Sequence, residues 1–275
     1  MPQKRILVLQ DLSAFGRSSL VPVISSISAM GCQCVPLPTA VFSSHTGFPG
    51  ACRRDLTDWL GGSIAHYRSL GLTFDGLLSG YLGSADQIDR VLEAAGLLAP
   101  GGTFIADPVM GDHGRLYAAC APLAGRMGEL CARADVITPN CTEAAVLLGR
   151  DPADAPAGLQ EGREWTAALR ARYGADVVLT GLSFSPDTLT TLCRTAAGCR
   201  EITHPRVHAG YPGTGDTFAA VLAGGLARGD DLARAAERAA GFVRRCIEVT
   251  AAEGRDPMEG AQFERCLGLL TEDVR

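Results

Sequence analysis

Tyr211-Pro212-Gly213-Thr214-Gly215-Asp216-Thr217-Phe218 is the stretch on which the reading of this chain turns. Pro212 and Gly213 mark a turn. Beyond Asp216 the apolar positions fall at Phe218, Val221 and Leu222, then Gly225. That is helical spacing, so the loop opens directly into a helix. The first turn of a helix carries N–H groups with no intrahelical partner, and its dipole favours an anion there. Gly213 and Gly215 have no Cβ, so an oxygen can come close to the backbone. Asp216 sets a carboxylate beside this anion hole. A carboxylate repels a resting phosphate, so a pure phosphate cradle would not carry one. It fits if a neutral hydroxyl must lose a proton while the N–H groups hold a phosphoryl group. The competing reading is structural: Asp in a first turn also serves as a cap or dipole residue. The segment alone leaves both open.

Upstream, short apolar runs alternate with helical patterns. Ile6-Leu7-Val8-Leu9 reads as a first buried strand with a polar stop at Gln10-Asp11. A helix through Val23, Ile27 and Met30 follows. Cys34 to Pro38 carries two prolines and reads as an edge or irregular strand. The loop after it holds His45 and Thr46, where a lone His is ordinarily a solvated residue. Arg53 to Leu70 reads as a helix with Leu56, Trp59 and Leu60 on one face. Phe74 to Gly83 is a strand running into a turn at Gly80-Tyr81, and Ser84 is a candidate N-cap. Thr103 to Ala106 ends at Asp107-Pro108-Val109-Met110-Gly111-Asp112. Asp135 to Ile137 closes on Thr138-Pro139-Asn140, with Glu143 three residues on. Asn140 and Glu143 fit either a capping box or a polar pair presented to a metal and phosphate. Asp176 to Leu179 ends at Thr180-Gly181. From Leu182 to Val207 short alternating runs suggest antiparallel strands. Helices are expected over Asp231 to Thr250 and from Asp256-Pro257 onward. Strands alternating with helices argue for a doubly wound, mostly parallel sheet with helices on both faces. Its polar strand ends converge on one edge, where such sheets bind ligands. Without a linker or composition break, residues 1–275 read as a single domain.

Composition excludes several classes. The 275 residues carry a net charge of −5, so there is no basic footprint for nucleic acid. No apolar run reaches the length needed to span a bilayer. The N-terminus shows no signal-peptide pattern, and the expectation is a cytoplasmic protein. Ten cysteines include no C-x-x-C and no zinc spacing, and read mostly as small core residues.

Thr39-Ala40-Val41-Phe42-Ser43-Ser44-His45-Thr46, Leu78-Ser79-Gly80-Tyr81-Leu82-Gly83-Ser84, Asp107 to Asp112, Thr138-Pro139-Asn140 with Glu143, and Gly213 to Asp216 stand in one order over most of the chain. Together they resemble the ribokinase-like superfamily, and within it the pyridoxal (vitamin B6) kinase branch. The resemblance implies an α/β ribokinase-like fold with a few antiparallel edge strands and no separate lid domain. It implies ATP-dependent phosphorylation of the 5'-hydroxymethyl group of pyridoxal, pyridoxine or pyridoxamine. Asp216 is then the base, and Gly213, Thr214 and Gly215 the anion hole. Asp107 and Glu143 resemble Mg2+-site carboxylates, Asp112 lies near the phosphates, and Thr138 matches a residue near a monovalent cation such as K+. Asn140, Glu143, Thr180, Gly181 and Tyr117 fall on the ATP side. Asp11, His45, Thr46 and Tyr81 fall on the pyridine side. A homodimer is also implied.

One departure stands out. Many pyridoxal kinases have Ser after the Gln of the first strand-end motif, where this chain has Gln10-Asp11. A carboxylate there favours a cationic or donating group on the ring, and so the amine-bearing pyridoxamine. The competing functions are a hydroxymethylpyrimidine kinase of thiamine synthesis and a non-catalytic B6- or nucleotide-binding sensor. The first usually carries Cys at the position of Asp216. The second is expected to have lost Asp216, Asp107 or Glu143, all of which are present.

Overall fold

The computed structural model describes residues 2–271. In chain order the elements are β1 (Arg5–Ser13), α1 (Leu20–Ala29), β2 (Gln33–Phe42), β3 (Arg53–Asp55), α2 (Thr57–Ser69), β4 (Phe74–Ser79), α3 (Ala85–Ala94), β5 (Leu98–Ala106), β6 (Gly111–Asp112), β7 (Arg115–Leu116), α4 (Ala124–Cys131), β8 (Val136–Ile137), α5 (Cys141–Leu147), α6 (Leu159–Tyr173), β9 (Asp176–Ser185), β10 (Thr188–Thr195), β11 (Gly198–Pro205), α7 (Thr214–Ala227), α8 (Leu232–Glu253) and α9 (Gly268–Thr271).

A nine-stranded sheet runs in the order β11-β10-β9-β8-β5-β4-β1-β2-β3. The six strands from β2 to β9 pair in parallel, and β3, β10 and β11 add antiparallel edges. The parallel strands are buried on both faces. Leu7 and Leu9 enter one core with α2 to α6, while Ile6 and Val8 enter the other with α1, α7 and α8. The same alternation splits Val177 and Leu179 from Val178. Full burial of such side chains contributes roughly 1.5–3 kcal/mol each. From β1 the sheet grows outward through β2 to β3, then restarts on the other side at β4. The β1/β4 boundary is therefore the point where ligands bind in open α/β sheets.

Several boundaries differ from expectation. β1 does not stop at Gln10 but runs to Ser13 through a register shift between Gln10 and Leu12. Arg53 to Asp55 is not helical: it pairs with Ala40 to Phe42 as β3, and the helix starts at Thr57. Trp59 is accordingly exposed, and Leu60 and Ile64 form the buried face. The expected helix from Asp256 is a single 3-10 turn, Pro257–Glu259, and α9 is only four residues. Ser84 is the N-cap of α3, but its hydroxyl lies 3.3 Å from that of Thr57 and does not cap the helix. The prolines of β2 behave as expected. β3 covers only Ala40 to Phe42, so Pro36 and Pro38 stand where the outer edge has no neighbour. Among the described residues no helix is long and apolar enough to cross a membrane, and all ten cysteines are free thiols.

Candidate active site

Polar residues gather where β1, β4, β5 and β8 end and α7 and α5 begin. Asp216 is half-buried in the first turn of α7. Its Oδ1 accepts from Gln10 Nε2 at 2.5 Å, and its Oδ2 accepts the Ser19 backbone N–H at 2.6 Å. Both donors come from outside its own helix, whose N-cap is Gly213, so the carboxylate is not acting as a cap. Burial raises its pKa, while the Ser19 N–H, the Gln10 amide and the His45 ring oppose the rise. Gln10 is itself buried, and a Cβ at Gly80 would lie 2.6 Å from its Cδ. The glycine at the end of β4 therefore makes room for the amide that holds Asp216.

The two glycines expected to line an anion hole differ in kind. Gly213 has φ 80°, and a Cβ there would sit 2.0 Å from the Arg17 carbonyl oxygen. The fold requires it. Gly215 has open space around the same position, so nothing in the fold requires it.

Asp11 is 5% exposed, and the Ser13 hydroxyl donates to its Oδ2 at 3.0 Å. Burial chiefly, and the Asp216 charge in addition, push its pKa up to about 6 against the hydroxyls of Ser19 and Ser13. Nearby, Tyr81 stands edge-on to Phe42 with ring centroids 6.0 Å apart. Its hydroxyl is buried with no hydrogen-bond partner among the described residues. An orphaned buried hydroxyl at a strand end is free to bond a ligand or a water. His45 is buried rather than solvated. Its Nδ1 accepts from the Gly47 N–H at 3.1 Å, so Nε2 donates to the Met258 carbonyl at 2.6 Å. Both ring nitrogens are engaged, and the ring packs against Phe48, with centroids 4.7 Å apart, and against Gly16 and Gly47. Thr46 beside it is exposed.

On the other side of Asp216, Asp107 accepts from the Thr138 hydroxyl at 2.9 Å. Burial and then the Asp216 charge push its pKa up to about 7. Glu143 is buried, and its two oxygens accept the N–H groups of Met110 at 3.1 Å and Asn140 at 2.9 Å. Burial and Asp107 raise it well above the usual carboxylate range. Asn140 Oδ1 accepts from the Glu143 N–H at 3.0 Å, which completes a capping box, and its amide donates to the Gly111 carbonyl at 2.8 Å. The capping geometry of this pair is thus realised, and it fixes Glu143 beside Asp107. Asp112 and Tyr117 lie exposed on and just after the β6–β7 hairpin. Partial burial of its ring and the Asp112 charge raise the pKa of the Tyr117 phenol. The Thr180 N–H donates to the Pro139 carbonyl at 3.0 Å, next to Asn140, and Gly181 follows at φ 76°.

Asp107, Glu143 and Thr138 do not form a closed cage. Among the described residues no group of three or more His, Cys, Asp or Glu is assembled to hold a metal ion. The donors nevertheless fit Mg2+, which binds through one or two carboxylates plus phosphate and water oxygens. Two carboxylates whose pKa values are raised by burial and by neighbouring negative charge would be relieved by a cation.

Sequence reasoning singled out neither Gln10 nor Ser19 as a site residue. A separate groove of about 810 Å³, lined by Leu148, Arg150 and Trp165, lies at the C-terminal end of α5, the end opposite Asn140.

The profile described as phosphomethylpyrimidine kinase matches residues 24–259. The pyridoxine/pyridoxal/pyridoxamine kinase of Bordetella bronchiseptica is 30% identical over 87% of this chain and 86% of its own. A Bacteroides thetaiotaomicron structure described as a phosphomethylpyrimidine kinase, in a crystal form with pyridoxal, matches at TM-score 0.92 and 38% identity, over 98% of this chain and 96% of that one. The pyridoxal kinase of Lactobacillus plantarum matches at TM-score 0.89 and 33% identity, over 97% and 96%. The mostly parallel nine-stranded fold, the order of the strand-end motifs and these similarities agree: the chain belongs to the phosphomethylpyrimidine kinase family and is a relative of the pyridoxal kinases.

Proposed function

We propose that this chain is a single-domain enzyme that transfers the γ-phosphoryl group of ATP to the 5'-hydroxymethyl group of a B6 vitamer. The observation that carries this reading is the Asp216 carboxylate. It is held from outside its helix by Gln10 and Ser19, at a helix start whose Gly215 leaves open space. Asp216 accepts the proton of the attacking hydroxyl. The first-turn N–H groups from Gly213 to Asp216 hold the transferring phosphoryl as charge develops on it. Gln10 and Ser19 leave the carboxylate little freedom, so it meets the hydroxyl in one orientation. Asp107 and Glu143 would hold Mg2+, with Asp112 toward the phosphates, and the ion would supply neutralisation of phosphate charge. Thr138 would lie near a monovalent cation. Asn140, Thr180, Gly181 and Tyr117 form the nucleotide side. On the pyridine side, Tyr81 offers its unsatisfied hydroxyl, His45 its ring face and Thr46 its hydroxyl. Asp11 accepts from a donating or cationic group, which favours pyridoxamine. The reading includes a cytoplasmic location and a homodimer, and light scattering on the purified protein measures the oligomeric state.

A second reading, hydroxymethylpyrimidine kinase, is favoured by the family description and by the description of the Bacteroides neighbour. The two are separated by ADP release with Mg-ATP on pyridoxal, pyridoxine, pyridoxamine and hydroxymethylpyrimidine. Turnover on a B6 vitamer, lost in Asp216→Asn with ATP still bound, is expected. A base removed from such a site costs about 10²–10⁴ in rate. Turnover on the pyrimidine alone moves the protein to the second reading. Activity surviving in Asp216→Asn means that the base is elsewhere.

A further inference from the structure

Ser19 is the N-cap of α1, yet its backbone lies at φ 61°, ψ −141°, a region that is essentially glycine's. An N-cap residue ordinarily takes an extended conformation and bonds its side chain to the first helical turn. Ser19 does neither: its hydroxyl makes no cap and lies 3.5 Å from the hydroxyls of Ser13 and Ser18. Helix α1 therefore does not account for this conformation. What it achieves is the direction of one bond, the Ser19 N–H aimed at Asp216 Oδ2 at 2.6 Å.

The surroundings leave the loop no way to relax. The Arg17 N–H is bonded to the Glu259 carbonyl at 2.9 Å, and the Arg17 guanidinium is bonded to Glu264 at 2.8 Å. The Arg17 carbonyl and Ser18 Cα stand against Gly213, so closely that a Cβ there would lie 2.0 and 2.7 Å away. Gly16, at φ 96°, lies against the His45 ring, where a Cβ would come within 2.4 Å. Strained backbone persists only where its surroundings over-determine it, and it concentrates at functional sites.

We propose that Ser19 is a positioning residue: the loop from Gly16 to Ser19, wedged between Gly213, His45 and Glu259, forces Ser19 into a glycine-like conformation that fixes the orientation of the Asp216 carboxylate. This rests on the reading of Asp216 as the base.

The test loosens the wedge and then removes the strain. Arg17→Ala breaks the guanidinium's hold on Glu264 and Glu259, so Ser19 relaxes toward an ordinary backbone conformation and its N–H turns away from Asp216. Its kcat is expected to fall by about tenfold, the effect of one hydrogen bond to a charged group, with KM for ATP and for the vitamer within about twofold. Ser19→Gly takes the glycine-like conformation without strain. It is expected to melt at a higher temperature than Ser19→Ala and to restore most of the lost kcat in the Arg17→Ala background, which Ser19→Ala does not. Full kcat in Arg17→Ala, no rescue by glycine, or glycine melting below alanine overturns the proposal. Asp216→Asn run beside them separates the two readings. If it stays active, the base assignment fails; if it is dead while glycine gives no rescue, only the role of Ser19 fails.

Discussion

Asp11 is a buried carboxylate, and its folded pKa of about 6 stands above the ordinary 3.8. The folded state thus binds this proton more tightly than the unfolded chain does. Its stabilising contribution is complete below about pH 4 and is lost as pH rises to about 6, a change of about 3 kcal/mol for a shift of two units. Asp11→Asn keeps an acceptor for the Ser13 hydroxyl and removes the buried charge. It is expected to flatten stability over that window and to melt above the parent at pH 8, as urea or thermal melts across pH would record. The same variant should lose any preference for pyridoxamine over pyridoxine in kcat/KM. An unchanged vitamer ranking would mean that Asp11 does not read the ring substituent. Gln10 shows the other side of residue-scale design. Its amide reaches Asp216 only because Gly80, on the neighbouring strand, has no side chain.

Helix α7 is built for close approach along its whole length. Every residue from Thr217 to Gly225 is buried, and a Cβ at Gly224 would lie 2.5 Å from Met30 Sδ, so the helix lies tightly against α1. This anchors the first turn against the ends of β1 and β4, the position proposed for the phosphoryl group. Its two anion-hole glycines are expected to respond differently to alanine. Gly213→Ala places a Cβ against the Arg17 carbonyl in a backbone region alanine avoids, and should cost about 2–5 kcal/mol together with activity. Gly215→Ala meets no protein atom and suits a helix better than glycine by about 0.5–1 kcal/mol. It should leave the melting temperature equal or higher while lowering kcat, because in the proposed reading the added methyl sits where the phosphoryl oxygen approaches. Melting and turnover measured on both variants decide the point; full activity in Gly215→Ala would remove the phosphoryl from this position.

At the scale of the whole molecule, the sheet edge brings together Asp11, Asp107, Glu143 and Asp216, all four held above the usual carboxylate range chiefly by burial. This crowding of negative charge opposes folding of the free protein, and a bound Mg2+ ion would relieve it, as the ion also offsets the phosphate charge of ATP. Mg-ATP with a vitamer should therefore stabilise more than either alone. Saturation at 100 times Kd corresponds to about 2.7 kcal/mol, or several degrees in melting temperature. A thermal-shift series with ATP, Mg2+ and vitamer, separately and combined, records this. Shifts from the vitamer that are indifferent to Mg-ATP would mean that the two sites are not joined at this edge.

The sequence by itself determined what short-range pattern can encode. The alternation of strands and helices gave the doubly wound sheet. The glycine-rich turn before Phe218, Val221 and Leu222 located the helix start that carries Asp216. The spacing of Asn140 and Glu143 offered a capping box as one of two readings, and the structure realises it. Elements set by distant pairing were hidden. Arg53 to Asp55 is polar and extends only because Ala40 to Phe42 offers it an edge. His45 looked like a solvated loop residue until the Met258 carbonyl, 213 positions away, engaged its ring. The donors that hold Asp216 lie 206 and 197 positions from it, and one is a backbone N–H, which no residue type can signal. Tertiary structure alone decided those contacts. A side chain's identity fixes what it can bond, but which partner it meets depends on how the strand ends converge in three dimensions.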